Sequence, residues 1–427
     1  MKSLLSLAGL VLALSSSLTV SSATLAEIAG PDTAAHPHSE HPHLVVSETL
    51  AVNQVFQAAV ANAPEQVLGG AYRQQAEAQQ QVSQGFIANR PRLNLYYWDD
   101  QNGDNTGLRE MELGVEVDLW RWGERRNAKA LAESFDTGAS AWRDYQRLSV
   151  SGRLRRALHQ LNSSAAKREH AVAAVTDAQR LLTISEKRFK AGEIARADVM
   201  QSEALLLESR QQLLEREAEL VDAERQYMTL TGLQQRPAQF IEVRPGQPRI
   251  DAQHPQLRLL LAKRQQQTEL WQQKRHEAAG NSTVSLGVRR ERGSNLDPET
   301  ESLGLSISIP FGGSAHTNAA SASAAVAMTD ADVRLKQVRL QLQQQLHEVE
   351  HELDVLEESL AYAAQARDLA QRHWKMADKA FAAGESNIRP TILALQHYRQ
   401  SQLQWQLLQL RQHSLISSLR QTVGESL

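Results

Sequence analysis

The stretch Glu110–Gly123, EMELGVEVDLWRWG, decides how this chain is read. Met111, Leu113, Val115, Val117 and Leu119 occupy one set of alternate positions. Glu110, Glu112, Gly114, Glu116 and Asp118 occupy the other. A period of two puts the two sets on opposite faces of a β-strand. One face is apolar and the other carries four carboxylates. Two settings fit this pattern. One is a sheet lying on a protein core; the other is a transmembrane strand with lipid outside and a wet lumen inside.

Outward from this strand, the sequence predicts a partner strand at Arg92–Trp98, joined to it by the turn-rich DDQNGDNTG (Asp99–Gly107) as an antiparallel hairpin. A helical segment, Glu48–Gln84, precedes the hairpin. A helix of about 65 residues follows from Glu124, on the order of 100 Å at 1.5 Å per residue. Ala191-Gly192-Glu193 interrupts it, and a second helix runs from Arg196 to Leu230. The order then repeats: a helix over His254–Ala279, strands at Ser282–Arg292 and Glu301–Phe311, a long helix over Ala315–Ala380, AGE again at Ala383–Glu385, and a last helix. Pro64 and Pro255, Gly123 and Gly313, Gly192 and Gly384, and Gly232 and Gly424 all stand 190 to 192 residues apart. Such constant register marks a duplicated helix–hairpin–long helix–helix unit. Along the second long helix, Leu335, Val338, Leu342, Leu346, Val349, Leu353, Leu356 and Leu360 make a narrow coiled-coil seam.

The 427 residues therefore divide into a leader at 1–23, a flexible His/Pro-rich segment at 24–47, a first repeat at 48–232, a Pro-rich connector at 233–253 and a second repeat at 254–427. The leader reads as a cleavable export signal: Lys2, an apolar run over Leu4–Leu14, then the small residues Ser21-Ser22-Ala23. A net charge of -3 gives no reason to expect a nucleic-acid partner. With no cysteine, disulfides and thiol chemistry are excluded. No stretch beyond the leader approaches the roughly 20 apolar residues of a membrane-spanning helix, so a membrane crossing would have to use strands in a closed barrel. Four strands cannot close alone. Two copies would give eight and three would give twelve, and a conducting lumen favours three or more.

Four segments carry a family resemblance: VDLWRWGERRNA (Val117–Ala128), ISIPFGGSA (Ile307–Ala315), RFKAGEIARADVMQSEALLLES (Arg188–Ser209) and AFAAGESNIRPTILALQHYRQSQ (Ala380–Gln402). In order and spacing they resemble the TolC family of outer-membrane efflux channels, and the LALQHYRQ run looks most like its CzcC-type heavy-metal branch. The resemblance implies a mainly α fold with a small β part. Three copies would form a 12-stranded barrel in the outer membrane of a Gram-negative bacterium, continued by an α-helical periplasmic tunnel. It implies a passive duct, not an enzyme, with no cofactor, working with a membrane-fusion adaptor and an inner-membrane RND-type pump. Ala191, Gly192, Glu193, Ala383, Gly384 and Glu385 would be the periplasmic tip that meets the adaptor. Some relatives carry gating acids after the second tip turn. Here Ser386–Pro390 holds none, and Asp198, after the first turn, is the carboxylate in the comparable place.

Other chemistry weighs less. His347-Glu348-Val349-Glu350-His351 matches the zinc-protease pattern HExxH. It straddles the coiled-coil seam of a long helix, without the third ligand and walled cavity that such catalysis needs. A soluble adaptor would lack the two amphipathic strand pairs. Glu112, Glu116 and Asp118 are candidate pore-lining acids that would favour cations, subject to pairing with Arg92 and Arg289. The cargo would be metal cations, with drugs or proteins as the alternative. His36, His38, His41 and His43 are candidate ligands for Zn²⁺ or Cu²⁺, a plain linker being the alternative. Calorimetric titration of a peptide covering residues 36–43 checks this: the expected result is heat of binding near neutral pH, and its absence ends the idea.

Overall fold

The computed structural model describes residues 43–427. The expected export leader and His36, His38 and His41 lie outside these residues. Thirteen elements follow in order: β1 (Val45–Ser47), α1 (Val52–Asn62), α2 (Gln66–Gln84), β2 (Arg92–Asp99), β3 (Arg109–Leu119), α3 (Glu124–Lys190), α4 (Arg196–Thr231), β4 (Gln235–Pro237), α5 (Pro255–Ala278), β5 (Ser282–Arg292), β6 (Thr300–Ser308), α6 (Ser314–Ala382) and α7 (Ile388–Thr422).

The fold is mainly helical with a small sheet. Long helices α3 and α6 have 67 and 69 residues, each about 100 Å. Each is flanked by two shorter helices in tandem: α2 and α4 lie on α3, and α5 and α7 on α6. The α6 seam shows how. Leu335, Val338 and Leu342 pack on Leu257 of α5, whereas Leu353 and Leu356 pack on Leu415 and Leu419 of α7. Helix α3 also touches α5 and α7, which joins the two repeats. The duplication holds to the backbone: Gly123 and Gly313, Gly192 and Gly384, and Gly232 and Gly424 all have positive φ.

The two hairpins merge into one sheet of order β2-β3-β5-β6, antiparallel throughout. Its middle pair joins β3 of the first repeat to β5 of the second, with Leu113 opposite Val288 and Val115 opposite Leu286. β2 and β6 are left as edges.

Several expectations are corrected. The helix expected over Glu48–Gln84 is two helices, because Pro64 follows the α1 cap at Ala63 and cannot continue its hydrogen bonding. β3 stops at Leu119, where the Trp120 indole turns to donate to Gly85 O at 3.1 Å. β6 stops at Ser308, two residues before Pro310. The segment 24–47 is not loose throughout: β1 pairs in parallel with β4, Val45 opposite Gln235. The connector at 233–253 is correspondingly a strap, with Phe240 buried beside Val55, Phe56, Leu154, Leu158 and Tyr227. Burying side chains of that size contributes roughly 1.5–3 kcal/mol each. The Tyr227 hydroxyl donates to Gln235 O at 2.9 Å, and burial pushes its pKa up to about 12.

At the same level lies a buried ion pair that no periodicity announces. Arg155 of α3 is 3% exposed. Its Nε and Nη2 donate to the Glu242 carboxylate at 2.9 and 2.7 Å. Its Nη1 donates to Gln421 Oε1 at 2.7 Å and Glu425 O at 2.8 Å. One guanidinium thus ties the first long helix, the strap and the C-terminal segment together. Nearby, burial lowers the pKa of His159 to about 4, so the ring is held neutral against Ser417 Oγ at 2.8 Å. Arg155→Met strands a buried carboxylate and is expected to cost about 3–5 kcal/mol in chemical denaturation; adding Glu242→Met should recover most of that loss.

Candidate functional site: an inside-out sheet and a double turn

On the sheet, the register aligns side chains in rows. Leu95, Leu113, Val288 and Leu303 form one row, and Leu93, Val115, Leu286 and Leu305 the next, with Val117, Val284 and Ile307 beyond. In a sheet packed on a protein core these rows would be buried. Here they are the uncovered face: Leu93, Leu95, Leu113, Val115, Leu286, Val288, Leu303, Leu305 and Ile307 are 47% to 74% exposed. On β3 the polar face is the less exposed one, with Gly114 and Asp118 buried, whereas β6 is exposed on both faces. β2, β3, β5 and β6 have 8, 11, 11 and 9 residues, near the span of a tilted strand across a bilayer. Arg290 and Glu301 form an ion pair on the apolar face at its end towards the hairpin loops.

The polar face has its own order. Gly114, Gly287 and Gly304 form a bare row across three strands. A Cβ on Gly287 would lie 3.0 Å from Leu113 O and 3.1 Å from Gly114 Cα, so a side chain there would press on the β3 backbone. Carboxylates at Glu110, Glu112, Glu116, Asp118 and Glu291 stand against the guanidinium groups of Arg92 and Arg289. Five against two leaves the face negative.

The three candidate acids differ in setting. Arg92 pairs with both Glu116 and Asp118. Asp118 also accepts from Asn89 Nδ2 at 2.8 Å and lies buried at the root of the sheet. It braces the strand more than it faces a lumen. Glu112 stands opposite Arg289, yet that guanidinium turns to Glu110 and Glu291, both at 2.8 Å. Of these five acids Glu112 is the one that makes no ion pair with a guanidinium among the described residues.

About 100 Å along the long helices, the two AGE turns come together. Gly192 and Gly384 take φ of 81° and 83°, a region that side-chain-bearing residues rarely adopt. Ala191, Gly192, Glu193, Ala383, Gly384 and Glu385 are all exposed. Behind them Leu181, Val199, Trp374, Phe381, Ile388 and Leu395 share one core, so both turns sit on a common base. Arg188 fastens them: it lies 4.8 Å over the Phe381 ring, donates to Phe381 O at 2.9 Å, and holds Glu193 at 3.1 Å. Asp198, in the first turn of α4, accepts from the N-cap Ala195 N at 3.3 Å and so helps cap that helix. The sequence does not show that Arg188 joins the two turns, because its partners on the second turn, Phe381 and Ser386, lie 193 and 198 residues away.

The remaining histidines separate. His43 Nδ1 meets Glu224 Oε2 at 2.8 Å, so its ring docks on α4. His347 and His351 are exposed on α6. No group of three or more potential metal ligands converges among the described residues, and no described helix is long and apolar enough to cross a membrane.

Residues 51–233 match the family model described as outer membrane efflux protein. Among solved structures, the outer membrane protein VceC of Vibrio cholerae superposes with a TM-score of 0.71 at 16% identity, over 88% of this chain and 96% of that one. The fold is that of an outer-membrane channel. The Campylobacter jejuni CmeC outer membrane channel gives 0.70 at 16% identity, over 87% of this chain and 85% of its own. CusC, whose structures concern transmembrane channel formation, gives 0.70 at 15%, over 90% and 93%. No curated protein matches the chain.

Proposed function

We propose that this chain is the outer-membrane channel subunit of a tripartite efflux system, a passive duct and not an enzyme. The carrying observation is a sheet whose apolar face lies uncovered while its opposite face carries the charges. Such a sheet is stable only where hydrocarbon meets the first face and water the second. Its family match over 51–233 and its fold support the same reading.

Three copies supply twelve strands, and β6 of one copy pairs with β2 of the next, so no edge is left in lipid. The helices offer matching edges. In the lower half they lie in the order α4-α3-α7-α6, which leaves α4 and α6 outermost. α4 exposes Met200, Leu207 and Leu214, seven residues apart. α6 exposes Val326, Val333 and Leu340, then Val355, Tyr362, Leu369 and Met376, at the same interval. These stripes suit a coiled-coil contact between copies. In the complete assembly residues 1–23 are a cleaved leader, and the paired turns at Ala191–Glu193 and Ala383–Glu385 dock the adaptor beneath an RND-type pump.

The cargo we assign is heavy-metal cations. The negative excess on the lumen face and the likeness to the CzcC-type branch support it; selection rests with the pump. Growth of a deletion strain on a metal panel tests this directly.

Membrane fractionation tests the duct. The mature protein is expected to need detergent and to have the mass of three chains; a soluble monomer overturns the reading. In planar bilayers, Glu112→Gln with Glu116→Gln should lower cation preference, and unchanged selectivity refutes the role given to those acids.

A further inference from the structure

The exposed stripe on α6 has a gap. After Leu340 the seven-residue step lands on His347, and His351 stands four residues before Val355. Two imidazoles therefore occupy the middle of a row that is otherwise Val, Leu, Tyr and Met. The buried seam of the same helix, through Leu342, Leu346, Val349 and Leu353, runs on the other side. Histidines in that seam would be core residues; these are exposed.

Residues four apart on a helix bring their Cβ atoms to about 5–6 Å, one turn above the other. The two rings lie nearly parallel, with centroids 6.4 Å apart and planes 12° from each other. Rotation of each exposed ring about its side-chain torsions can aim one nitrogen from each at a shared point between them. Glu350 lies three residues after His347 and one before His351 in the sequence. The neighbouring carboxylates are engaged: Glu352 holds Arg411 at 2.6 Å, Asp354 lies 3.7 Å from Arg244, and Glu348 accepts from Gln344 at 2.8 Å.

We propose that His347 and His351 form a two-imidazole site for a divalent transition-metal ion of the Zn²⁺, Cu²⁺ or Ni²⁺ class, on the outermost edge of α6. Imidazole nitrogen suits these borderline ions and not Ca²⁺ or Mg²⁺. Two protein nitrogens leave coordination positions open to water, to Glu350 or to a donor on a facing copy. The site is a binding site without hydrolytic chemistry, because no enclosing wall surrounds the ion. Its chemistry needs only the helix; its place in a contact between copies rests on the oligomer proposed above.

The test uses the full-length protein in detergent, with His36→Gln, His38→Gln and His41→Gln introduced to silence the N-terminal cluster. Calorimetric titration with ZnCl₂ is expected to give one ion per chain. Either His347→Gln or His351→Gln should weaken binding by about tenfold or more. With CuCl₂, electron paramagnetic resonance should show coupling to two nitrogens in the parent and fewer in each single variant. Binding should also fall on acidification, as protons compete for the ring nitrogens. Equal affinity in the double variant, or no binding to the parent, overturns the site. The mass of the metal-free protein is measured separately, so a failed oligomer is distinguished from a failed metal site.

Discussion

A sheet that shows its apolar face to the surroundings cannot rest in water, and strands with unpaired edges cannot rest in lipid. Everything else in the chain answers these two demands. In the proposed channel the first is met by hydrocarbon against the rows through Leu113 and Val115. The second cannot be met within one copy, because β2 and β6 have no described partner across their outer edges. In that setting the sheet would be a fragment of a larger closed surface, and its open edges are the reason the proposed assembly needs further copies.

The helices carry this logic away from the sheet. Each long helix begins just after a strand, capped by a left-handed glycine at Gly123 or Gly313. Each turns back at the tip, where one arginine joins the two halves. Midway, where the tandem helices meet end to end, the wall would be weakest in bending. There the strap crosses, with Phe240 in the core and Glu242 on Arg155. A buried ion pair adds little net stability compared with a well-packed apolar substitute, yet it punishes any arrangement that separates its partners. Its placement at the joint between repeats fits a role in fixing their register.

The α6 helix shows how one sequence writes two messages at once. Its buried seam and its exposed stripe both recur at close to heptad spacing, on different sides of the same rod. The seam through Leu335 and Leu353 was legible because it is continuous. The outer stripe was hidden, since an exposed Val or Leu carries no meaning until the partners on the other side are known.

By itself the sequence determined the alternation in β3, the two hairpins, the tip turns, the long helices and the duplication, because these are local patterns with fixed periods. It also carried the resemblance to the TolC family. Only the tertiary structure decided that nothing packs over the apolar face of the sheet, and that exposure separates it from a sheet lying on a core. It decided that Asp118 is a brace under Arg92, that Asp198 helps cap a helix, and that His43 docks on Glu224. It revealed β1 and β4, three residues each, too short to show a period. Arg155 finds Glu242 across 87 residues, and Arg188 finds Phe381 across 193. Periodicity assigns a residue to a face, whereas the identity of its partner depends on how distant faces meet.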